Sequence, residues 1–280
     1  MPTPLGNLRD ITLRSLDTLR ECSLIVAEDS RVTRKLLGLL ALPSKDIWSY
    51  HEHNAAGATA KILERALTER IAVVTDAGTP GISDPGSELI AAARAAGIAV
   101  EVLPGPSALV GIAALSGFDL RRFVFEGFAP RTSAQRRKAF QQAQRSGMTS
   151  VWYESPQRIR AALADLAEVL PDARVFLLRE YTKLHEQQLF GTPDEVARGL
   201  PDPVRGEIGF AVAAQLAQPE APSEDELQSA IDELLDRDES VAAIAKLLTE
   251  RGYGERRQLY ADVTERKALR KVASGARESP

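Results

Sequence analysis

The sequence predicts an α/β protein, with two α/β domains followed by a small helical appendage. Over the first 217 residues, segments with apolar residues at helical spacing alternate with short apolar runs, the pattern of helices packed on a sheet. Proline- and acid-rich "AQPEAPSEDE" then breaks the alternation, and beyond it only helical periodicity remains. The expected divisions are 1–118, 119–217 and 218–280.

Taken in order, Leu8, Ile11, Leu16 and Leu19 fall at helical spacing and lead into the apolar run of "SLIVAED". Helices are expected near 31–41, 56–69, 87–96 and 107–116, with strands near 46–50, 71–75 and 98–103. Such alternation makes a largely parallel sheet. After "SGFDLRR" come "FVFEGF", a basic helix, "TSVWYE", a helix at 157–169, "RVFLLRE", "HEQQLFG", a short helix and "GEIGFAVAA". This half reads as a mixed sheet with some antiparallel strands. The appendage carries helical patterns at 224–236, 240–251 and 255–270.

Composition narrows the function classes. The apolar runs are far short of a membrane span and the N-terminus lacks a leader pattern, so a soluble cytoplasmic protein is expected. Cys22 is the single cysteine and the three histidines are poorly spaced for zinc, so neither a disulfide nor a metal is expected. The net charge of −4 is unevenly spread. Residues 219–239 hold nine acids and one base, whereas 251–277 hold eight bases and three acids. Arg131, Arg136, Arg137, Lys138 and Arg145 lie in a stretch free of acids. These basic runs are either solvated helix faces or surfaces for a polyanion.

Four loops follow strands expected in the first half: "AEDSR", "HEHN", "DAGTPGISDPG" and "PGPSAL". Ligands of open α/β sheets bind beyond the carboxyl ends of the strands. Glycine lets backbone approach a ligand closely, and Ser107 stands at an expected helix start, where free N–H groups favour an anion. Asp76 and Asp84 can cap turns or accept hydrogen bonds from a ligand. Each loop alone is explained as a turn; four together suggest a shared pocket. A GxGxxG fingerprint and a GxxxxGK[ST] phosphate loop are both missing from the sequence.

In order and spacing, "PTPLGNLRDIT", "AEDSR", "HEHN", "VTDAGTPGISDPG", "PGPSAL", "FEGFAP", "YESPQR", "LREYTKLHE" and "GEIGFAV" resemble the tetrapyrrole methylase superfamily of class III S-adenosylmethionine (SAM) enzymes, and within it the branch that methylates small-subunit ribosomal RNA. The resemblance implies 2'-O-ribose methylation of a cytidine in the 16S rRNA decoding centre, SAM in a cleft between two α/β domains, and a homodimer. It places Asp76, Ala77, Gly78, Ile82, Ser83, Ser107 and Ala108 beside SAM, with Tyr153, Glu154 and the backbone of 208–211 completing the pocket. The family pattern has a short apolar strand before the Pro-Thr-Pro loop, whereas Met1 immediately precedes Pro2 here.

Such chemistry needs a ribose hydroxyl aligned with the methyl group and relieved of its proton. Glu28, Asp29, Arg31, His53 and Asn54 are the expected substrate-facing set, with Glu28, Asp29, His51, His53 and Lys183 as candidate bases. Helix capping competes for Asp29 and Ser30. Arg131, Arg136, Arg137, Lys138 and the basic end of the appendage are expected to grip rRNA phosphates. Two rival readings share the fold: a methyltransferase acting on a small tetrapyrrole, and an inactive rRNA-binding assembly factor.

Overall fold

The computed structural model describes residues 1–51, 54–83, 86–214, 224–237 and 239–275. It divides into two compact units, Met1–Ala214 and Gln215–Pro280. The first contains two sheets.

A single 3-10 turn, Leu8–Asp10, precedes α1 (Leu13–Glu21), which Thr12 caps by accepting a hydrogen bond from the Ser15 amide. Then follow β1 (Leu24–Ala27), α2 (Ser30–Leu39), β2 (Asp46–Ser49), α3 (Ala55–Ala66), β3 (Ile71–Val74), α4 (Ser87–Ala95) and α5 (Ala108–Ser116). The first sheet is parallel, in the order β2-β1-β3, and all four residues of β1 are buried. Helices on both faces explain why the central strand reads as an unbroken apolar run. Ala27 pairs with both Ser49 and Val74. The loops after the three strands therefore leave the same end of the sheet side by side.

The strand expected at 98–103 does not form: these residues join no ladder. The sequence "IAVEVL" has strand character, but a cavity of about 460 Å³, lined by Met1, Ile71, Val73, Leu89 and residues 98–103, separates it from β3. At the rim of that cavity the Met1 amino group donates to the Val73 carbonyl at 2.6 Å.

The second sheet is built from β4 (Phe123–Phe128), β5 (Thr149–Glu154), β6 (Val175–Arg179), β7 (Gln187–Gly191) and β8 (Ile208–Val212) in the order β4-β5-β8-β6-β7. Only β4 and β5 run parallel; the other three pairings are antiparallel. The helices α6 (Ser133–Arg145), α7 (Ile159–Val169) and α8 (Pro193–Gly199) cover one face with a core of Phe140, Trp152, Leu163, Leu166 and Phe210. On the other face lies α5, whose Ile112 and Ala113 pack with Val151, Phe176, Leu178 and Ala211. A helix ahead of residue 118 in sequence is thus seated on the interior strands of the second sheet.

The second unit holds α9 (Glu224–Asp236), α10 (Val241–Glu250) and α11 (Arg256–Gly275) around a core that includes Ile231, Ile244, Leu248, Leu259 and Val263. Among the described residues, no helix is long and apolar enough to cross a membrane.

Candidate active site

A cavity of about 360 Å³ opens where the carboxyl ends of the first sheet meet the second sheet. From the first sheet come Glu28 and Asp76, the residues just past β1 and β3; from α5 come Ala108 and Ile112; from the second sheet come Tyr153, Leu178 and Gly209. Tyr153 pairs with Gly209, and Gly209 with Leu178, so these three form one row across the sheet. Glycine in the middle of that row leaves room for α5: a Cβ there would lie 2.2 Å from Ile112 Cδ1 and force that side chain to move.

The glycine-rich loop after β3 is held by its own backbone and by neighbouring loops. Thr3 and Gly78 exchange two main-chain hydrogen bonds, 2.9 and 3.0 Å, and Thr3 Oγ1 donates to the Thr75 carbonyl at 3.0 Å. Gly78 has φ +83, a conformation open to glycine and strained for other residues. Thr79 Oγ1 donates to the Pro106 carbonyl at 2.9 Å, fastening this loop to the one before α5. Ala77 lines the cavity, whereas Ile82 and Ser83 lie further along the loop and outside its lining. Ser83 approaches the β4 bulge: a Cβ on Gly127 would lie 3.3 Å from its Oγ. Asp84 falls outside the described residues. Ser107 is the N-cap of α5, and its side chain makes no capping hydrogen bond.

Three acids meet at this edge. The Asp29 amide donates to Asp76 Oδ1 at 3.1 Å, and the Asp76 amide donates to Glu28 Oε2 at 3.4 Å. Burial against the cavity wall raises the Glu28 pKa, and the neighbouring Asp76 and Asp29 charges add to the rise. Desolvation also raises Asp76. Asp29 goes the other way, to about 2, because the Arg31 side chain and amide both donate to it. It is the N-cap of α2, accepting from the Arg31 amide at 2.8 Å and from Arg31 Nη2 at 2.6 Å. The capping reading therefore describes Asp29, and Arg31 serves as its partner.

Asn54 also spends its amide locally: Oδ1 accepts from the His51 amide at 2.9 Å and Nδ2 donates to the Ser49 carbonyl at 2.8 Å. It closes the loop after β2. His53 lies outside the described residues. Lys183 fails as a base, since its ammonium donates to Glu180 Oε1 at 2.8 Å and lies 3.2 Å from Glu207 Oε2, and these carboxylates hold its pKa above the ordinary value against burial.

Glu154 is buried, accepting from the Ser155 amide at 2.7 Å and pairing with Arg158 at 2.9 Å. It forms part of the cavity wall. The sequence reading missed Tyr181 and Glu207, which line the cavity with Phe128. The Tyr181 ring lies against Gly111 of α5, where a Cβ would be 2.4 Å from Cε1. Its position depends on backbone that the sequence does not advertise: the flanking Glu180 and Thr182 have φ +53 and +65.

The basic stretch is only partly available. Arg136 is 5% exposed. Its Nε donates to Asp165 Oδ2 at 2.7 Å, and its Nη1 donates to the Pro130 and Arg131 carbonyls. That removes Arg136 from the expected phosphate-binding set, because its charge is satisfied inside the protein. Arg137 pairs with Glu168, while Arg131 and Lys138 are exposed.

The cavity thus joins carboxylates that can accept from ammonium and hydroxyl groups to aromatic and aliphatic walls. The family model for Tetrapyrrole (Corrin/Porphyrin) Methylases matches residues 2–197. The chain belongs to this methylase family. Like the family, the enzyme is a methyltransferase. The methylase is 42% identical over 194 residues to the Ribosomal RNA small subunit methyltransferase I of Thermotoga maritima, covering 69% of this chain and 86% of that one. It is 39% identical over 264 residues to the protein of the same name from Synechocystis sp., covering 92% and 94%. Among solved structures, diphthine synthase aligns at TM-score 0.57 and 15% identity, covering 76% of this chain and 88% of that one. The methyltransferase CobJ aligns at TM-score 0.55 and 21% identity, covering 75% and 91%. Identities this low speak to the fold of the methylase alone.

Proposed function

We propose that the protein transfers a methyl group from SAM to the 2'-hydroxyl of a cytidine in the decoding centre of 16S rRNA, acting in the cytoplasm as a homodimer on the small ribosomal subunit. The observation that carries this reading is the junction of Glu28 and Asp76 with an apolar cavity shared by two sheets, in a chain whose relatives bear a small-subunit rRNA methyltransferase name.

The cavity residues fit SAM. Ile112, Leu178 and Tyr153 offer an apolar surface to an adenine, and Asp76 and Glu207 offer acceptors to hydroxyl and ammonium groups. The free N–H groups that begin α5 at Ala108 suit a carboxylate. When bound, SAM supplies an activated methyl group on a sulfonium. Gly78, Ile82, Ser83 and Ser107 act by shaping the loops around it, and Glu154 by fixing the wall. Glu28 is the general base: it faces the cavity, and its raised pKa keeps it basic enough to take a proton. The Arg31-locked Asp29 is too weak a base for that role. Arg131 and Lys138 contact rRNA phosphates.

The test is to incubate the protein with methyl-labelled SAM and small subunits lacking the modification, then map 2'-O-methyl groups. Label on a decoding-centre cytidine, lost in Asp76→Ala, is the expected result; label on another nucleotide, or none, rejects the assignment. A wall prediction accompanies it. Gly111→Ala presses a methyl group into the Tyr181 ring, an overpacking worth about 1–3 kcal/mol. If the ring yields into the cavity, calorimetry should show SAM affinity falling about tenfold. Unchanged affinity would remove Tyr181 from the binding wall.

A further inference from the structure

In the second unit a short turn joins α10 to α11. At the end of α10, Gly252 has φ +84, its amide donates to the Thr249 carbonyl at 3.0 Å, and the Tyr253 amide donates to the Leu248 carbonyl at 3.0 Å. This is a Schellman close, with Tyr253 tucked against the core as its apolar contact. Residues 251–255 then lead into α11.

The two sides of α11 differ sharply. Leu259 and Val263 are buried against the other helices, and Arg266 and Arg270 on the same side are paired with Asp232 and Asp236 of α9. Two of the eight basic residues at this end are therefore spent on carboxylates within the unit. On an adjoining side, Arg256, Tyr260, Thr264 and Lys267 recur at i, i+4, i+8 and i+11, with Arg257 beside them, and all five are exposed. Helical periodicity puts them in one stripe, and turns Asp262 and Glu265 away from it. Among the described residues, none of Arg256, Arg257 and Lys267 has an ion-pair partner. The stripe spans about 16 Å at 1.5 Å per residue, enough to meet several phosphates.

We infer that this stripe is a docking surface for double-stranded RNA, holding the phosphates beside a minor groove through Arg256, Arg257 and Lys267, with Tyr260 offering its hydroxyl to ribose and Thr264, whose hydroxyl donates to the Tyr260 carbonyl at 2.6 Å, serving only as an acceptor. Three cations and no acid match a polyanion. A rigid helix with one exposed aromatic lacks the successive stacking surfaces that single strands use, whereas phosphate and 2'-hydroxyl contacts are how A-form helices are held. The choice of RNA rests on the proposed rRNA substrate; the surface itself is independent of the methyl-transfer site.

The experiment uses the full chain with Arg256→Glu, Arg257→Glu and Lys267→Glu combined. Binding to a 20-base-pair RNA duplex and to a single strand of the same composition is measured over a salt series. Affinity for the duplex should fall at least about tenfold, and the slope of log K against log salt should shrink by about 2–3. SAM binding, measured by calorimetry, should not change. A control with the same charge change elsewhere, Arg14→Glu, Arg20→Glu and Arg121→Glu, should leave duplex affinity and slope as they were. An unchanged duplex slope in the stripe variant overturns the inference, as does a loss equally large for single strands or for the control. A wild-type chain that binds duplex through the stripe but leaves 16S rRNA unmethylated would reject the proposed function and leave this surface standing.

Discussion

Asp165→Ala is expected to lower the unfolding free energy by about 3–5 kcal/mol, the cost of stranding one member of a buried ion pair. The Arg136 and Asp165 side chains are 6% and 10% exposed, so the guanidinium left behind would have neither carboxylate nor water. Ser133 adds to the loss, since its hydroxyl donates to Asp165 Oδ1 at 2.5 Å. Urea denaturation followed by far-ultraviolet circular dichroism measures the change. The double variant Arg136→Met with Asp165→Leu should recover most of it, because apolar replacement removes both charges together. Arg137→Ala, which breaks a partly exposed pair with Glu168, should cost no more than about 1 kcal/mol. A small Asp165→Ala effect would return Arg136 to the candidates for RNA contact.

The same pair has a pH signature. Burial opposes ionisation of Asp165, but the hydrogen bonds from Ser133 and Arg136 outweigh it and hold the folded-state pKa below the ordinary value. A carboxylate depressed on folding contributes stability above its unfolded pKa, about 3.9, and loses it as pH falls through the lower folded value. The gap between wild type and Asp165→Ala should therefore be full at neutral pH and narrow in strong acid.

What the sequence made legible follows from how local the cause is. The strand Leu24–Ala27 is apolar throughout because both faces are covered, and that pattern needs no knowledge of its neighbours. The 98–103 segment misled because strand propensity does not supply a pairing partner. In the site, Asp29 and Asn54 have their partners within a few residues, so capping and turn rules describe them. Tyr181 and Glu207 reach the cavity through strand order and two positive-φ residues, which a linear reading does not reveal. Arg136 does carry a local signal of burial. It precedes the buried Phe140 and Ala143 by four and seven residues, on the buried side of α6, and a charge on such a side signals a buried partner.

Glu28→Gln is expected to reduce kcat by about 10²–10⁴-fold, the usual contribution of a positioned general base, with the affinity for SAM nearly unchanged. The amide keeps the size of the side chain and can still accept from the Asp76 amide, so the cavity edge survives while proton uptake is lost. Asp76→Ala should show the opposite split: it removes the acceptor for the Asp29 amide and a cavity carboxylate, weakening SAM binding directly. The pH profile separates the roles further. The base must be ionised to act, and burial raises the Glu28 pKa. Wild-type kcat should therefore fall as pH drops through a value above the ordinary carboxylate range, about 4.3 for glutamate. In Glu28→Gln the residual activity should lose that limb. If kcat in Glu28→Gln stays within a few-fold of wild type, or the acidic limb persists, the proton goes elsewhere in the loops after β1 and β2, and Glu28 serves to hold the Asp76 backbone.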